Sequence, residues 1–354
     1  MKILHIITSL QSGGAERMLS NIVNNDDHNK HIIVLLLSGK IHYKITSNSK
    51  FHILDYENNL INKFKIIRQL VKIIKYEKPQ IVQTWLKVNY YAPILKFVNN
   101  RPKYVINIRS GVQNKNNYII SKLISWFLNK TDGQILVSNS SKKEFEKEGI
   151  IFRKSTVINN GFEQCDYLYR KNIDFSDNSM HFGYVGRYHP IKNQELLIKS
   201  FNQFAKNKDV FLHLAGKNLV FENFSDFIDS ENKKKFIWYG EISETLEFYK
   251  GIDALILTSK SEGFPNVIGE AMAIGVPVIS TNAGESYQII RHAGYKIDHT
   301  VSSLVEMLEH IIRNKKELKE KSEESYKIIE KEYSLNKIIK SYKNYYKEIG
   351  RKNK

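Results

Sequence analysis

The chain has 354 residues, more than one hydrophobic core usually organises, so two domains are expected. With 42% hydrophobic and 26% charged residues it is neither a disordered chain nor a membrane-embedded one. The formal net charge of +17 is lopsided: residues 1–170 carry 26 Lys+Arg against 12 Asp+Glu, and residues 171–354 carry 28 against 25. A basic half of that kind either meets something anionic, nucleic acid or phospholipid headgroups, or presents solvated lysine-rich faces.

The first apolar run, residues 3–8, follows one early positive charge and no small-residue cleavage site comes after it, so it is expected to be a buried strand and not a signal peptide. Further strand-length runs come at 32–37, 51–54, 81–84, 105–108, 135–137 and 156–158, separated by helical patterns. Buried strands alternating with helices predict parallel βαβ units. After a polar stretch, residues 170–179, the pattern repeats with runs at 182–185, 211–215, 236–239, 254–258, 277–280 and 295–297. The expected architecture is α/β: two Rossmann-like, doubly wound parallel-sheet domains, 1–169 and 170–333, facing a central cleft that would hold a ligand. Residues 301–349 read as two Lys- and Glu-rich helices. The second carries Ile338, Ile339, Tyr342, Tyr345 and Tyr346 at helical spacing, so segment 334–354 is expected to pack back on the N-terminal domain. The lone Cys165 excludes an intrachain disulfide, fits a structural role and points to a reducing compartment. No run approaches the ~20 apolar residues of a spanning helix. A cytoplasmic protein is expected.

Three segments carry chemistry. Ser261-Glu-Gly-Phe-Pro-Asn-Val-Ile-Gly-Glu270 follows a buried strand, breaks into a Gly/Pro loop, and starts a helix near Pro265–Asn266, with Pro265 suited to the first helical turn; Gly275 and Pro277 stop that helix. Such a loop and helix end offer free backbone N–H groups to a diphosphate. Glu262 and Glu270, with seven residues between them, accept hydrogen bonds only, and so suit sugar hydroxyls or a ribose diol. In Gly183-Tyr-Val-Gly-Arg-Tyr-His-Pro-Ile-Lys-Asn193, Gly186 allows close backbone approach, while Arg187 and Lys192 are the cations a diphosphate needs. His189 in that loop is read as a variable residue and not a base. In Ser12-Gly-Gly-Ala-Glu-Arg17, Gly13 and Gly14 open the first helix directly after the first strand. This is not G-x-G-x-x-G, which argues against a nicotinamide dinucleotide. No Asp-x-Asp stands near a strand end, so no metal cofactor is expected.

These segments resemble the family 4 retaining glycosyltransferases of GT-B fold, of the kind that assembles bacterial polysaccharides, along essentially the whole chain and most densely between Gly183 and Ile290. The resemblance implies a nucleotide-sugar donor, a UDP-sugar foremost. Glu262 would lie by the transferred sugar and Glu270 on the ribose. Phe264, Asn266 and Val267 would offer backbone contacts, with Gly263 and Pro265 in the same donor loop. Arg187 and Lys192 would neutralise the leaving diphosphate, and Gly13 and Gly14 would border donor phosphate and acceptor, beside Arg17. Retention would proceed by front-face displacement, a phosphate oxygen of the leaving group taking the acceptor proton. One departure stands out: where many relatives carry a histidine after an N-domain strand, this chain reads Val105-Ile-Asn-Ile-Arg-Ser-Gly111. Arg109 thereby becomes a candidate for acceptor or phosphate contact.

For the acceptor, two features bear on a membrane. Segment 118–128 is apolar on nearly every face, and the helix expected at 61–76 carries Lys63, Lys65, Arg68, Lys72 and Lys75. Either they contact an anionic membrane surface, giving a peripheral enzyme with a lipid-linked or polysaccharide acceptor, or they are a buried helix and a solvated face. Rivals are a synthase or phosphorylase acting on a soluble sugar, a silent scaffold, and a nucleic-acid binder. Nucleic acid is not expected as a partner, because no stacking platform or known module is found.

Overall fold

The computed structural model describes residues 1–11, 13–39, 41–46, 49–56, 60–109, 118–164, 179–242 and 244–351. The expectations on Ser12, Ser110, Gly111, Cys165 and nearly all of the 170–179 stretch lie outside the described residues. The chain divides into two compact units, Met1–Gly161 with Leu335–Lys354, and Phe162–Ser334. Composition placed the breaks at 169/170 and 333/334; the first unit ends earlier, at Gly161. Phe162 already belongs to the second, where it bridges Ser334 and its N–H donates to the Tyr333 carbonyl at 2.9 Å.

In the first unit, strands β1 (Lys2–Ile7), β2 (Lys30–Leu35), β3 (Lys50–Ile53), β4 (Ile81–Trp85), β5 (Lys103–Ile108), β6 (Gly133–Leu136) and β7 (Ser155–Val157) form one parallel sheet in the order β3-β2-β1-β4-β5-β6-β7. The central strands read as unbroken apolar runs because both faces are covered. On one face Ile3 and Ile7 pack with Met18 and Ile22 of α1 (Gly14–Asn25). On the other, Leu4 and Ile6 pack with Ile66, Leu70 and Ile74 of α2 (Leu60–Glu77), Leu95 of α3 (Tyr91–Val98) and Leu128 of α4 (Tyr118–Leu128). Short helix α5 (Asn139–Lys147) follows β6, with Ser138 capping it through Ser141 N–H.

The second unit holds β8 (Met180–Val185), β9 (Val210–Ala215), β10 (Phe236–Gly240), β11 (Ala254–Leu257), β12 (Val278–Ser280) and β13 (Tyr295–Lys296), all parallel, in the order β10-β9-β8-β11-β12-β13. That is a doubly wound order, the chain reversing its direction of winding between β8 and β11. Helices α6 (Gln194–Phe204), α7 (Thr245–Lys250), α8 (Asn266–Met272), α9 (Ser286–Ile290), α10 (Val301–Arg313) and α11 (Lys315–Ile328) complete it. The expected two C-terminal helices are three. Asn314 leaves helical geometry (φ −123°, ψ 52°), ends α10 and begins α11. The third, α12 (Leu335–Arg351), lies in the first unit, its Ile338, Ile339, Tyr342, Tyr345 and Tyr346 buried in the same core as Ile3 and Ile7. Two of the three tyrosines there find partners for their hydroxyls, as buried phenols usually do: Tyr346 Oη donates to Gln83 Oε1 at 2.7 Å and Tyr342 Oη accepts from Asn107 Nδ2 at 3.1 Å, while Tyr345 Oη has no partner among the described residues. Gly133 leaves room for Tyr345, whose hydroxyl would lie 2.0 Å from a Cβ at that position.

Candidate functional site

In an open parallel sheet ligands sit beyond the carboxyl ends of the strands where the winding reverses. In the second unit those strands are β8 and β11, hydrogen-bonded neighbours, and the loops leaving them are the two charged segments singled out in the sequence. Several bonds join the loops. Lys260 N–H donates to the Ile191 carbonyl at 2.8 Å, and Thr258 Oγ1 donates to the Lys192 carbonyl at 3.0 Å. Lys192 Nζ then reaches Glu262 Oε1 at 2.6 Å, and Ser259 Oγ donates to the same oxygen at 2.7 Å. Both partners of the ion pair are mostly withdrawn from water, with side chains 21% and 14% exposed. Screening is weaker there than at the surface, and the charge-assisted bond is correspondingly firm.

The first loop is built for close approach. Gly186 N–H donates to the Ala215 carbonyl at 2.9 Å, and a Cβ on Gly216 would stand 2.0 Å from the Gly186 carbonyl oxygen. Asn193 turns the chain into α6 in a left-handed conformation (φ 52°, ψ 43°), which asparagine tolerates better than most residues. Gln194 next to it donates from Nε2 to Tyr184 Oη at 3.0 Å and to the Arg187 carbonyl at 2.8 Å. This braces the backbone of Arg187 while its side chain is exposed. His189 caps a short turn by accepting from Ile191 N–H at 3.2 Å.

In the second loop Glu262 is half-buried, and its carbonyl lies against Gly284. Gly284 is in the left-handed region (φ 61°), and a Cβ there would be 2.0 Å from the Glu262 oxygen. Phe264 is 8% exposed and stacks on Phe162, with Tyr333 tilted against it. Its side chain therefore anchors the loop, leaving the backbone of Gly263 to Val267 beside the ion pair. Pro265 is the N-cap, not a first-turn residue, and helix α8 starts at Asn266 and has only 7 residues. Glu270, on its second turn, accepts from Tyr249 Oη at 2.9 Å. The two glutamates thus have different partners, a lysine and serine for Glu262 and a phenol for Glu270.

In the first unit, Gly13 is the N-cap of α1 and Gly14 its first residue. A Cβ on Gly13 would collide with the Glu16 carboxylate at 2.3 Å. Burial pushes the Glu16 carboxyl up, its own backbone N–H opposing the shift. Arg17 is half-buried in the first turn, its N–H donating to the Gly13 carbonyl at 3.0 Å. Arg109 turns inward. Nη1 donates to the Ile158 carbonyl at 3.1 Å and Asn160 Oδ1 at 2.8 Å, Nη2 donates to Tyr342 Oη, and the guanidinium lies 5.9 Å from the Trp85 ring. Burial lowers it to about 9, with Tyr346 opposing. It ties the ends of β5 and β7 to α12.

Gln194, Tyr184, Ser259, Tyr249 and Gly284 were not picked out from sequence. Gln194 abuts the Arg187 to Asn193 segment and Gly284 follows a buried strand, which are usable signals. Tyr184, Ser259 and Tyr249 offer none, since their partners come from elements brought together only by the sheet.

Two doubly wound parallel sheets, the second with paired charged loops at its reversal point, define the α/β architecture of the GT-B class. Two family models match the chain in tandem, Glycosyltransferase Family 4 over residues 12–164 and Glycosyl transferases group 1 over residues 168–328, and the chain is a glycosyltransferase of that fold. It is 23% identical over 341 residues to the capsular polysaccharide biosynthesis glycosyltransferase CapH of Staphylococcus aureus, covering 90% of this chain and 92% of that one. A glycosyltransferase from Rickettsia africae superposes with a TM-score of 0.86 at 20% identity, covering 100% of this chain and 99% of that one. HepE of Anabaena, solved in complex with UDP-glucose, gives a TM-score of 0.80 at 18% identity, covering 98% of this chain and 100% of that one.

Proposed function

We propose that this glycosyltransferase moves a hexose or N-acetylhexosamine, with retention and without a metal, from a UDP-sugar to a lipid-linked or polysaccharide acceptor in surface-glycan biosynthesis. The observation that carries the reading is the Lys192–Glu262 pair, which joins the two loops at the reversal point of the second sheet. Arg187 and Lys192 supply positive charge where a leaving diphosphate develops negative charge, the largest usual source of rate in such chemistry. With the donor in place, Lys192 divides its bonds between phosphate and Glu262, and Glu262 faces the reacting sugar. Glu270 takes the ribose, and the backbone from Gly263 to Val267 contacts sugar and diphosphate. The acceptor hydroxyl attacks from the face the diphosphate leaves, and a phosphate oxygen takes its proton. No carboxylate nucleophile is then needed, unlike a retaining glycosidase. Gly13 and Gly14 border the donor phosphate. Arg17 is the acceptor contact we favour, while Arg109 acts through its hold on α12.

We place the enzyme on the cytoplasmic face of an anionic membrane. The face of α2 carrying Lys65, Arg68, Lys72 and Lys75 is exposed, and so are Ile119, Ile120, Leu123 and Trp126 of α4. Basic residues beside exposed apolar ones are what interfacial binding requires. Among the described residues no helix is long and apolar enough to cross a membrane. The capsular relative supports the surface-glycan setting, and the UDP-glucose complex supports the donor. The test is transfer from a panel of UDP-, GDP- and ADP-sugars to membrane extract in excess EDTA. We expect a UDP-sugar to be used at full rate, with the anomeric configuration kept. Activity abolished by EDTA and restored by magnesium or manganese would overturn the metal-free mechanism.

A further inference from the structure

At the reversal point of the first sheet the strand ends make a different kind of place. A pocket of about 470 Å³ opens beyond β1 to β4, where Thr8, Leu37 and Tyr56 follow the first three strands and Lys87, Val88, Tyr90 and Tyr91 follow the fourth. Position and size are those of a ligand site in a doubly wound sheet. Ile66 of α2 and Ile94 of α3 close its sides, and Tyr90 and Tyr91 add ring faces. Among the described residues no carboxylate or amide lines it, and Lys87 is the one charged group there. A bare sugar is held by side chains that both donate to and accept from its hydroxyls. Thr8, Tyr56, Tyr90 and Tyr91 bring hydroxyls to this lining, but its leucines, isoleucines, Val88 and the tyrosine rings make most of it hydrocarbon, so it favours an apolar chain that leaves water on binding.

Two further details narrow the class. Ile94, Phe97 and Val98 fall on one side of α3 at three- and four-residue spacing, and Phe97 and Val98 are exposed, so apolar surface continues outward from the pocket. Lys87 is exposed at the start of the short turn after β4, where its ammonium complements a phosphate next to the chain. The geometry points to a lipid diphosphate: the pocket takes the hydrocarbon nearest the diphosphate of a polyprenyl-linked acceptor, and Lys87 pairs with the diphosphate. This rests on the reading of a lipid-linked acceptor and adds where, and by which residues, the lipid is held.

The experiment measures binding of farnesyl diphosphate to the full chain by calorimetry, with saturating UDP present to occupy the anion site of the second unit. Farnesyl diphosphate is expected to bind at least about tenfold more tightly than inorganic pyrophosphate, because only it fills the apolar walls. Ile94→Trp, which fills the pocket, and Lys87→Glu, which reverses the exposed charge, should each weaken it by about tenfold or more. UDP affinity should be unchanged in both. Wild-type affinity for farnesyl diphosphate in both folded variants would overturn the assignment, and so would equal binding of pyrophosphate and farnesyl diphosphate by the unaltered chain. If Ile94→Trp lowers the melting temperature, Lys87→Glu decides alone. The underlying reading is judged separately, by transfer to a sugar carried on polyprenyl diphosphate against the same sugar without lipid. No preference for the lipid form would remove that reading, whereas a strong preference with undiminished variants would remove only the pocket.

Discussion

The two units share a strand order around their first strand, yet the crevices at their reversal points differ in kind. In the second, glycine-tight loops, an ion pair and exposed Arg187 gather charge and backbone N–H groups. In the first, leucine, isoleucine and tyrosine line a pocket with, among the described residues, a single cation. Topology supplies a crevice in both cases; the residues just past each strand end decide what it can hold. The surfaces differ in the same sense, since Phe64, Phe97, Ile119 and Trp126, each at least 63% exposed, all belong to the first unit.

If the second crevice is an anion site, removing its cations should have the largest effect. Arg187→Ala and Lys192→Ala are each expected to lower kcat about 10²–10³-fold with little change in melting temperature. Near-normal transfer by the double variant would erase the contrast between the crevices. A sharper cut separates the glutamates. Glu262→Gln releases Lys192 from its partner, so free UDP should bind more tightly while turnover falls about 10²-fold. Glu270→Gln should instead weaken UDP about tenfold, a difference calorimetry resolves. Equal UDP affinities in both variants would show that the ion pair does not compete with the donor.

Each unit also carries a histidine pair on its first two strands, and these differ in partner. His5 and His31 are 2.9 Å apart with Asp26 beyond, whereas His181 and His213 are 2.8 Å apart with Tyr239 beyond. Burial, then His181, lowers His213 to about 4; burial, then His31, holds His5 well below its usual value against the pull of Asp26. Burial alone would raise Asp26, but bonds from His31 and Asn29 hold its carboxyl well down. A lowered histidine means that the unfolded chain binds more protons. Stability is therefore full above about pH 6.5 and is lost as pH falls toward 4, by up to about 3 kcal/mol for His213 alone. Melting curves at pH 7, 5.5 and 4.5 should show this fall, and His213→Asn should flatten it. An unchanged slope in that variant would leave the second unit out of the acid response.

The last expected effect is at the surface. Because Trp126 is 63% exposed while Phe127 packs against the core, Trp126→Ser should lower affinity for anionic vesicles about tenfold at unchanged melting temperature, and Phe127→Ser should destabilise by about 2–4 kcal/mol. Full vesicle binding by a well-folded Trp126→Ser chain would remove α4 from the membrane contact.

All thirteen strands of the described residues were legible as apolar runs, the central ones because a parallel sheet covered on both faces demands continuous Val, Ile and Leu, whereas the edge strands β3, β7 and β10 are only partly buried. The charged loops of the second unit were legible for a related reason: each is a contiguous strand-to-helix turn whose glycines and charges stand next to one another in the chain. Tertiary structure alone decided which of them meet. Lys192 and Glu262 are 70 positions apart and touch only because β8 and β11 are neighbours. Arg109 could as well have faced solvent; it turns inward because α12, more than two hundred residues later, brings Tyr342 to the end of β5. Helix α4 is apolar on almost every side, so its sequence holds no preference for a buried face. The sheet it lies on chose Leu128 and left Trp126 to solvent. Spacing along the chain specifies local geometry, whereas partner choice depends on packing between distant segments, and no local pattern encodes that.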